Sequence, residues 1–320
     1  MHSYSNSFIN EMSILNKILN DILIQKEPAS LYDPVNYLLK KKGKNTRALL
    51  TLITSNFWNT NTHQIRGLIL AIESLHNFTL IHDDVMDNAT LRRGISTINQ
   101  KWSANQAILS GDVLMIRSFN YLLNVKNQNI LKLFTQTAIK ICEGQQIDFD
   151  MQHSKNITLE DYYHMIGLKT GVLIQFSLMA PCYLDKGGFK YLKTMELIGY
   201  YVGQLFQIQD DYLDLYGVEI GKEKGGDIRE NKKTFLYTMA LHVSSNEEKL
   251  ILEKVYHSTS NDKISKVFNI YQKLNLESII NQKIQNLKKE IFDLIDQINV
   301  PVERKDRLVE FIGLIISRKK

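Results

Sequence analysis

The chain has 320 residues, a formal net charge of +5 and a hydrophobic fraction of 44%. Its basic residues are spread along the chain and are not clustered with aromatic side chains, which argues against a nucleic-acid-binding protein. No uninterrupted apolar run approaches the roughly 18 residues of a membrane-spanning helix, and the first residues do not resemble a secretory signal. The two cysteines, Cys142 and Cys182, fit a reducing compartment. These features predict a soluble cytoplasmic protein.

Apolar residues recur at intervals of three and four over most of the chain, which is the period of an amphipathic α-helix. The pattern begins with "SFINEMSILNKILNDIL" at residues 7–23 and is clearest at Ile280, Ile284, Leu287, Ile291, Leu294 and Ile298. The stretch "NVPVERKDR" then breaks one helix at Pro301 and starts another. Breaks such as "DKGG" at 185–188 are too short for domain linkers. The sequence therefore predicts one all-α domain, residues 1–320, with about ten or more helices.

Two aspartate-rich patches interrupt this apolar pattern. "DDVMD" covers residues 83–87 shortly after "FTLI", and "DDYLD" covers residues 210–214 shortly after "LFQI". Residues four apart share one face of a helix, so each patch pairs its first and last carboxylates. Unpaired charge on a helix that is otherwise buried is costly, and a bound cation would remove this conflict. A solvated acidic face is the alternative for a single patch, and the second copy argues against it.

The donor atoms of both patches indicate which cation is expected. All are carboxylate oxygens, with no cysteine and only His82 adjacent, which favours Mg²⁺ over Zn²⁺. Mg²⁺ usually shares its coordination shell with phosphate oxygens. The two patches therefore predict several Mg²⁺ ions that hold a polyphosphate group.

Cationic residues that could bind such a group occur at four places. They are Lys44 and Arg47 in "GKNTR", Arg92 and Arg93 in "LRRG", Lys169 with Thr170 in "LKTG", and Lys222 and Lys232 in "GKEKGGDIRENKKT". Arginine binds phosphate through two parallel hydrogen bonds and lysine binds it as a point charge, so the set suits one or two diphosphates. Each residue alone would be an ordinary surface residue.

The stretches "HNFTLIHDDVMDNATLRRG" and "FQIQDDYLDLYG" resemble the two aspartate-rich motifs of the trans-isoprenyl diphosphate synthases, or polyprenyl synthetases. "GKNTR", "AILSGD", "EGQQIDFD", "LKTG" and "GKEKGGDIRENKKT" match the same family in order, over residues 40–240. The resemblance implies the isoprenoid synthase fold, a single large helical bundle with a central apolar cavity, in a homodimer. It also implies a Mg²⁺-dependent prenyltransferase, with about three ions bound beside the substrate.

The resemblance also assigns roles to matching residues. The ligands of Mg²⁺ would be Asp83, Asp87 and Asp210, supported by Asp84 and Asp214. The allylic diphosphate would be held by Arg92, Lys169, Lys222 and Lys232, and the diphosphate of isopentenyl diphosphate by Lys44, Arg47, His76 and Arg93. Thr170 and Gln207 would line the site of the developing carbocation, because oxygen dipoles stabilise positive charge. The chain departs from the family pattern at Asn45 and Ala48, next to Lys44 and Arg47, where arginine and proline are usual.

The implied reaction joins isopentenyl diphosphate to a dimethylallyl, geranyl or farnesyl diphosphate. The allylic C–O bond ionises, the double bond of isopentenyl diphosphate attacks the cation, and a proton is lost to the released diphosphate. In the family, the residues one turn before the first motif form the floor of the product pocket, and here they are Phe78 and Thr79. This pair, without an insertion in "DDVMD", resembles short-chain enzymes that make geranylgeranyl diphosphate, and a farnesyl product stays open, as does a longer one.

Three other classes of protein match parts of this pattern. A terpene cyclase would share the first motif, but its second motif normally mixes Asn or Asp, Ser or Thr, and Glu, unlike "DDYLD". A His-Asp metal hydrolase could use His82 and Asp83 but would leave the second patch without a role. A non-catalytic partner subunit should have lost some of these aspartates, and both sets are complete. The basic tail "SRKK" at 317–320 resembles the tail that closes the site in some family members.

Overall fold

The structure is a computed structural model that describes residues 7–23, 26–41, 43–60, 62–154, 156–217 and 224–316. Nearly all regular structure in these ranges is helical, so the all-α prediction is confirmed. The α-helices in chain order are α1 Ile9–Asn20, α2 Ala29–Lys40, α3 Thr46–Phe57, α4 Thr62–Met86, α5 Ile98–Lys101, α6 Ala104–Leu123, α7 Gln128–His153, α8 Leu159–Ile166, α9 Val172–Met179, α10 Leu192–Tyr216, α11 Gly226–Arg229, α12 Phe235–Val243, α13 Asn246–Tyr256, α14 Lys263–Lys273, α15 Leu276–Asp296 and α16 Val302–Ile316. A π-helix, Gly167–Gly171, joins α8 to α9, and 3-10 turns cover Ala180–Leu184 and Phe189–Tyr191.

Contacts between Cα atoms divide the chain into two compact units. Unit 1 consists of Met1–Ala138, Phe176–Met195 and Val300–Phe311. Unit 2 consists of Ile139–Gln175, Glu196–Asn299 and Ile312–Lys320. The first aspartate patch belongs to unit 1 and the second to unit 2. The prediction of one domain over residues 1–320 stays a prediction.

The core of unit 1 is built around α4. Its middle residues, Leu68 to Ile72 and Leu75, are fully buried, as expected for a helix that is apolar on all sides. Toward its end, α4 is approached closely by α6 at Gly111. A Cβ atom there would lie 2.3 Å from the ring of His82 and 3.4 Å from Phe78. The first aspartate patch therefore begins in the last turn of a helix whose middle is fully buried.

After α4 the chain forms a short β-hairpin where the sequence did not predict one. Strands β1 Leu91–Arg92 and β2 Ile95–Ser96 pair antiparallel, with Arg92 opposite Ile95. The two turn residues, Arg93 and Gly94, have φ values of +52° and +74°. A two-residue hairpin turn of type I′ requires positive φ at both positions. Glycine adopts this conformation easily, whereas Arg93 is strained there.

Unit 2 has a buried helix of its own, α12, in which residues 235–241 are all buried. The long helix α15 contributes the apolar stripe that the sequence predicted, with one correction. Ile280, Ile284, Leu287 and Ile291 are buried, but Ile295 takes the next buried position and Leu294 is only half-buried. The period of a straight helix is 3.6 residues, so the buried face drifts away from a strict four-three repeat. α16 begins at Val302, directly after Pro301, as predicted.

One helical stretch in the described part of the chain, Leu159–Leu184, is long and apolar enough to cross a membrane by length and composition. Of its most apolar segment of 18 residues, 72% is buried inside the protein. The core helix of a soluble protein meets the same criteria, and the stretch includes the charged residue Lys169.

Candidate active site

The first aspartate patch lies at the C-terminal end of α4. Asp83 is half-buried and Asp87 is exposed just beyond the helix, where its N–H donates to the carbonyl of Asp83 at 2.8 Å. The middle residue, Asp84, is only 3% exposed. The patch therefore presents its outer carboxylates to the surface of the unit and turns its middle carboxylate inward.

The middle carboxylate of this patch is paired with the hairpin. The Nε atom of Arg92 donates to Oδ1 of Asp84 at 2.6 Å, and the Asn99 side-chain amide donates to the carbonyl of Asp84 at 3.3 Å. Burial raises the pKa of Asp84, and the hydrogen bond and charge of Arg92 oppose that rise. The ion pair therefore fixes the position of Arg92 beside the patch while part of its guanidinium stays accessible.

The second patch lies in the last two turns of α10 and repeats this arrangement. Asp210 is exposed, Asp214 is half-buried, and the middle residue, Asp211, is 4% exposed. The carboxylate of Asp211 accepts hydrogen bonds from Tyr162 Oη at 2.7 Å and from the backbone N–H of Phe235 at 2.7 Å. The amide of Gln207 donates a third at 2.9 Å. Asp211 thus ties α8, α10 and α12 together.

The electrostatic environment of Asp211 differs from that of Asp84, because its donors are neutral. Burial raises the pKa of Asp211 from 3.8 to about 7, although the three hydrogen bonds lower it. Burial raises the pKa of Tyr162 well above 10, and the charge of Asp211 raises it further. The tyrosine therefore remains a hydrogen-bond donor at neutral pH.

The donor set fits Mg²⁺ that is shared with a phosphate group. In the described ranges, no group of three or more His, Cys, Asp or Glu residues is close enough to hold a metal on its own. Each patch offers two outer carboxylates, four residues apart. Mg²⁺ keeps water or phosphate oxygens in the rest of its coordination shell. Asp84 and Asp211 are occupied by protein partners, so they suit a supporting role and not direct coordination.

A second cluster in unit 1 contains three of the residues predicted to bind isopentenyl diphosphate. Arg47, in the first turn of α3, lies with its Nη1 atom 3.2 Å from Nε2 of His76 on α4. Burial lowers the pKa of His76 well below 6.5, and the charges of Arg47 and Arg93 lower it further. Because arginine can only donate, the neutral imidazole accepts at Nε2. Lys44 is exposed just before α3.

The two arginines of the hairpin contact different partners. Arg92 pairs with Asp84, whereas Nη1 of Arg93 donates to the carbonyl of Lys41 at 3.1 Å, at the end of α2. The sequence predicted one arginine for each substrate, and the turn conformation separates them in this way. Their roles in substrate binding stay a prediction.

In unit 2, the π-helix Gly167–Gly171 carries Lys169 and Thr170. A π-helical turn is wider than an α-helical one and commonly marks a functional site. The hydroxyl of Thr170 donates to Oε1 of Gln207 at 3.1 Å, so the structure brings these two predicted residues together. Nζ of Lys169 donates to Oδ2 of Asp148 at 2.5 Å. Asp148 was not singled out from the sequence, although it lies in the motif "EGQQIDFD".

A hydrogen bond from α11 connects the second patch to the segment that carries Lys232. The N–H of Asp227 donates to Oδ2 of Asp214 at 3.1 Å. Nζ of Lys232 lies 3.3 Å from Asp227 and 2.9 Å from Glu230. Burial would lower the pKa of Lys232, but the charges of these two carboxylates outweigh burial and raise it. Lys222 and the basic tail at 317–320 lie outside the described residues.

The residues predicted to form the floor of the product pocket lie on α4. Phe78 is 8% exposed, and its ring centroid lies 4.6 Å from that of His82. The hydroxyl of Thr79 donates to the carbonyl of His76 at 2.8 Å and is therefore satisfied within the helix. Phe78 is thus held against His82 and Gly111 and has little freedom to move.

Comparison with known proteins identifies the family. The family model described as polyprenyl synthetase matches residues 28–274. A geranylgeranyl pyrophosphate synthase from Geoglobus acetivorans is 32% identical over 307 residues, which cover 93% of this chain and 96% of that protein. A geranylgeranyl diphosphate synthase from Sulfolobus acidocaldarius is 30% identical, with 99% of each chain covered. A crystal structure of a geranylgeranyl pyrophosphate synthase, 31% identical, matches with a TM-score of 0.90 over 100% of both chains. The chain belongs to the polyprenyl synthetase family of prenyltransferases.

Proposed function

We propose that the protein condenses isopentenyl diphosphate with an allylic diphosphate and releases a short-chain all-trans product, geranylgeranyl diphosphate. The names of the relatives support this product. The observation that carries the proposal is the repeated design of the two aspartate patches, each with accessible outer carboxylates and a buried, hydrogen-bonded middle one. We further propose that the two units act as one polyprenyl synthetase domain, because the family match includes residues of both.

The proposed metal ligands are the outer carboxylates. Asp83, Asp87 and Asp210 would hold Mg²⁺, with Asp214 in support through its hydrogen bond to the N–H of Asp227 on α11. Bound Mg²⁺, about three ions with substrate present, would neutralise the diphosphate and make it a better leaving group. Asp84 would support the site by fixing Arg92.

The proposed allylic diphosphate site uses Arg92, Lys169, Lys222 and Lys232. Lys169 and Lys232 have carboxylate partners in this structure, Asp148 for the first and Asp227 and Glu230 for the second. A diphosphate carries more charge than one carboxylate and offers more acceptor oxygens, so it can displace these partners. The carboxylates hold both ammonium groups near their working positions until the substrate binds.

Ionisation of the allylic C–O bond would leave a cation that needs shielding from water and stabilisation by oxygen dipoles. Gln207 is oriented for this role, because its NH₂ group donates to Asp211 and its Oε1 atom accepts from Thr170. The oxygens of Thr170 and Gln207, held in place by these bonds, would stabilise the cation with their remaining lone pairs. A predicted apolar cavity would exclude water from it.

The second substrate would be held by Lys44, Arg47, His76 and Arg93. With its diphosphate fixed, isopentenyl diphosphate attacks the cation through its double bond and a C–C bond forms. The C–O bond of the allylic substrate has already broken in the ionisation step, with diphosphate as the leaving group. The adduct then loses a proton to the released diphosphate. His76 would act by hydrogen bonding, because burial and the neighbouring arginines keep its pKa low and its imidazole neutral.

Product length gives the first test of this site. Replacing Phe78 with Ala removes a ring held between His82 and Gly111 and should lengthen the main product by at least one isoprene unit. Products are sized by mass spectrometry after incubation with isopentenyl and farnesyl diphosphate. T79S, which keeps the hydroxyl bond to His76 and removes only a methyl group, tests the second predicted floor residue and should change the product length less than F78A does. An unchanged product from F78A removes Phe78 as the floor of the pocket.

A homodimer is part of the proposal, supported by an apolar stripe on α6. Leu109, Ile116 and Leu123, seven residues apart, are 55%, 69% and 62% exposed. Ile116→Asp should convert the dimer to a monomer in size-exclusion chromatography with light scattering, because a charge in an apolar interface loses its solvation. Leu250→Asp on α13, where Leu250 is also 69% exposed, should leave the dimer intact. A monomeric wild type would contradict the homodimer.

We expect the enzyme to act in the cytoplasm without a nucleic-acid partner. Both cysteines are unbridged, which fits a reducing compartment.

The proposed activity is tested by incubating the protein with isopentenyl diphosphate, Mg²⁺ and, in separate reactions, dimethylallyl, geranyl or farnesyl diphosphate. Elongation should appear with at least one allylic partner and disappear with EDTA. No elongation with any partner would contradict the proposal.

A further inference from the structure

Glu73 is a buried charged residue that none of the roles above uses. It lies on α4, one turn before His76, in the most apolar part of the helix, and is 2% exposed. Burial raises its pKa, and the charges of Arg93 and then Arg47 oppose that rise. A buried carboxylate without partners would be strongly destabilising, so its neighbours should explain why it is there.

The first neighbour of Glu73 is the start of α3. The Ala48 N–H, in the first turn of α3, hydrogen-bonds to the Glu73 carboxyl and lowers its pKa. The residue that precedes the helix, Asn45, makes no side-chain capping bond. Glu73 therefore supplies the acceptor and the negative charge that favour a helix N-terminus. Arg47 lies on the same first turn, so this contact fixes the backbone that carries it.

The second neighbour of Glu73 is the hairpin turn. Glu73, Asn77 and Arg93 line the same cavity of about 170 Å³ in unit 1. Arg93 is pressed against the chain at Gly43, where a Cβ atom would lie 2.8 Å from the guanidinium carbon. Burial lowers the pKa of Arg93, and among the charges around it Glu73 has the largest opposing effect. Oε1 of Glu73 has no hydrogen-bond partner, so the carboxylate can still accept a donor from this cavity.

We propose that Glu73 is a positioning residue that holds the guanidiniums of Arg47 and Arg93 together as the binding site for the diphosphate of isopentenyl diphosphate. Two guanidiniums beside a neutral His76 repel each other, and the buried carboxylate of Glu73, whose charge interacts with both, offsets that repulsion. Asp84 does the same for Arg92 alone. Each diphosphate site thus has a buried carboxylate of its own, Glu73 for Arg47 and Arg93 and Asp84 for Arg92. The proposal rests on the proposed condensation reaction for the identity of the two substrates.

The test compares two isosteric variants in the intact protein. Glu73→Gln keeps the shape of the side chain but removes its charge, so it should raise KM for isopentenyl diphosphate about tenfold, as expected for loss of one charge-assisted interaction. KM for the allylic diphosphate should stay within about twofold of wild type. Asp84→Asn should give the reverse pattern. A purely structural role for Glu73 would raise both KM values equally or lower only kcat, and either outcome overturns the proposal.

Calorimetric titration with isopentenyl diphosphate alone makes the result independent of turnover. If wild type binds isopentenyl diphosphate but does not elongate any allylic partner, the proposed reaction fails while the titration still tests Glu73. An unchanged Kd in E73Q overturns the positioning role. If E73Q does not fold, Glu73→Asp retains the charge on a shorter side chain. It should weaken binding of isopentenyl diphosphate but not of the allylic substrate, and equal weakening of both contradicts the role.

Discussion

The two aspartate patches have the same spacing, but their middle carboxylates bind different kinds of partner. Asp84 has a charged partner, Arg92, whose side chain is 28% exposed. Asp211 has three neutral partners, two of which, Tyr162 and Phe235, belong to other helices. Both carboxylates are almost completely buried. The first middle aspartate therefore positions one substrate-binding group, whereas the second holds together the helices around its patch.

The difference has an electrostatic consequence. A neighbouring guanidinium stabilises the ionised form of a carboxylate, whereas neutral donors do so less, and burial then dominates. For this reason burial raises the pKa of Asp211 to about 7. Loss of Asp84 should thus affect binding, and loss of Asp211 should affect folding.

The largest effect is expected from Asp211→Ala. The substitution leaves the hydroxyl of Tyr162, the amide of Gln207 and the N–H of Phe235 without their acceptor. Each buried donor left unpaired costs about 1–3 kcal/mol, so the free energy of unfolding should fall by about 3 kcal/mol or more. Urea denaturation followed by circular dichroism measures this. Asp84→Ala is the matched control and should cost about 1 kcal/mol, because Arg92 can turn to water. Equal losses in the two variants would remove the distinction.

The pH dependence of stability gives a second, somewhat smaller difference. The folded pKa of Asp211, about 7, lies above its ordinary value of 3.8, so between these values the folded state binds more protons than the unfolded state. Asp211 therefore contributes stability at pH 4 that is lost as the pH rises toward 7. Asp211→Asn lacks this titration, so its deficit relative to wild type should shrink over that interval. Denaturation in metal-free buffer at several pH values tests it, and a constant deficit contradicts the raised pKa.

The smallest effect is expected from Asp84→Asn in binding. Arg92 keeps a neutral hydrogen-bond acceptor but loses its counter-charge, so KM for the allylic diphosphate should rise about tenfold. The melting temperature should change by only a few degrees. Steady-state elongation with the allylic substrate varied measures this. Tyr162→Phe, which weakens the network of Asp211 in unit 2, should leave that KM close to wild type. An effect of Y162F on KM as large as that of D84N would contradict separate roles.

Much of this arrangement could be predicted from the sequence, because it depends on local spacing. The apolar period predicted helices around α4 and α15. The i to i+4 spacing predicted Asp83 and Asp87 on one helix face, and Asp87 instead lies just beyond the end of α4, with its N–H still bonded to the carbonyl of Asp83. The hairpin at Arg93 was not predicted, since a two-residue turn with an arginine at positive φ has no apolar period. The pairs Tyr162–Asp211 and Lys169–Asp148 were not predicted either. They join residues 49 and 21 positions apart, and such contacts are set by how helices pack.

The most direct measurement of the central claim is the Mg²⁺ requirement of elongation in variants of the outer and middle aspartates. If the outer carboxylates hold the metal, Asp87→Asn and Asp210→Asn should keep wild-type stability but lose elongation, or need at least about tenfold more Mg²⁺ to restore it. Asp84→Asn should elongate at the wild-type Mg²⁺ concentration once allylic diphosphate is raised. A wild-type Mg²⁺ requirement in both D87N and D210N would contradict the account.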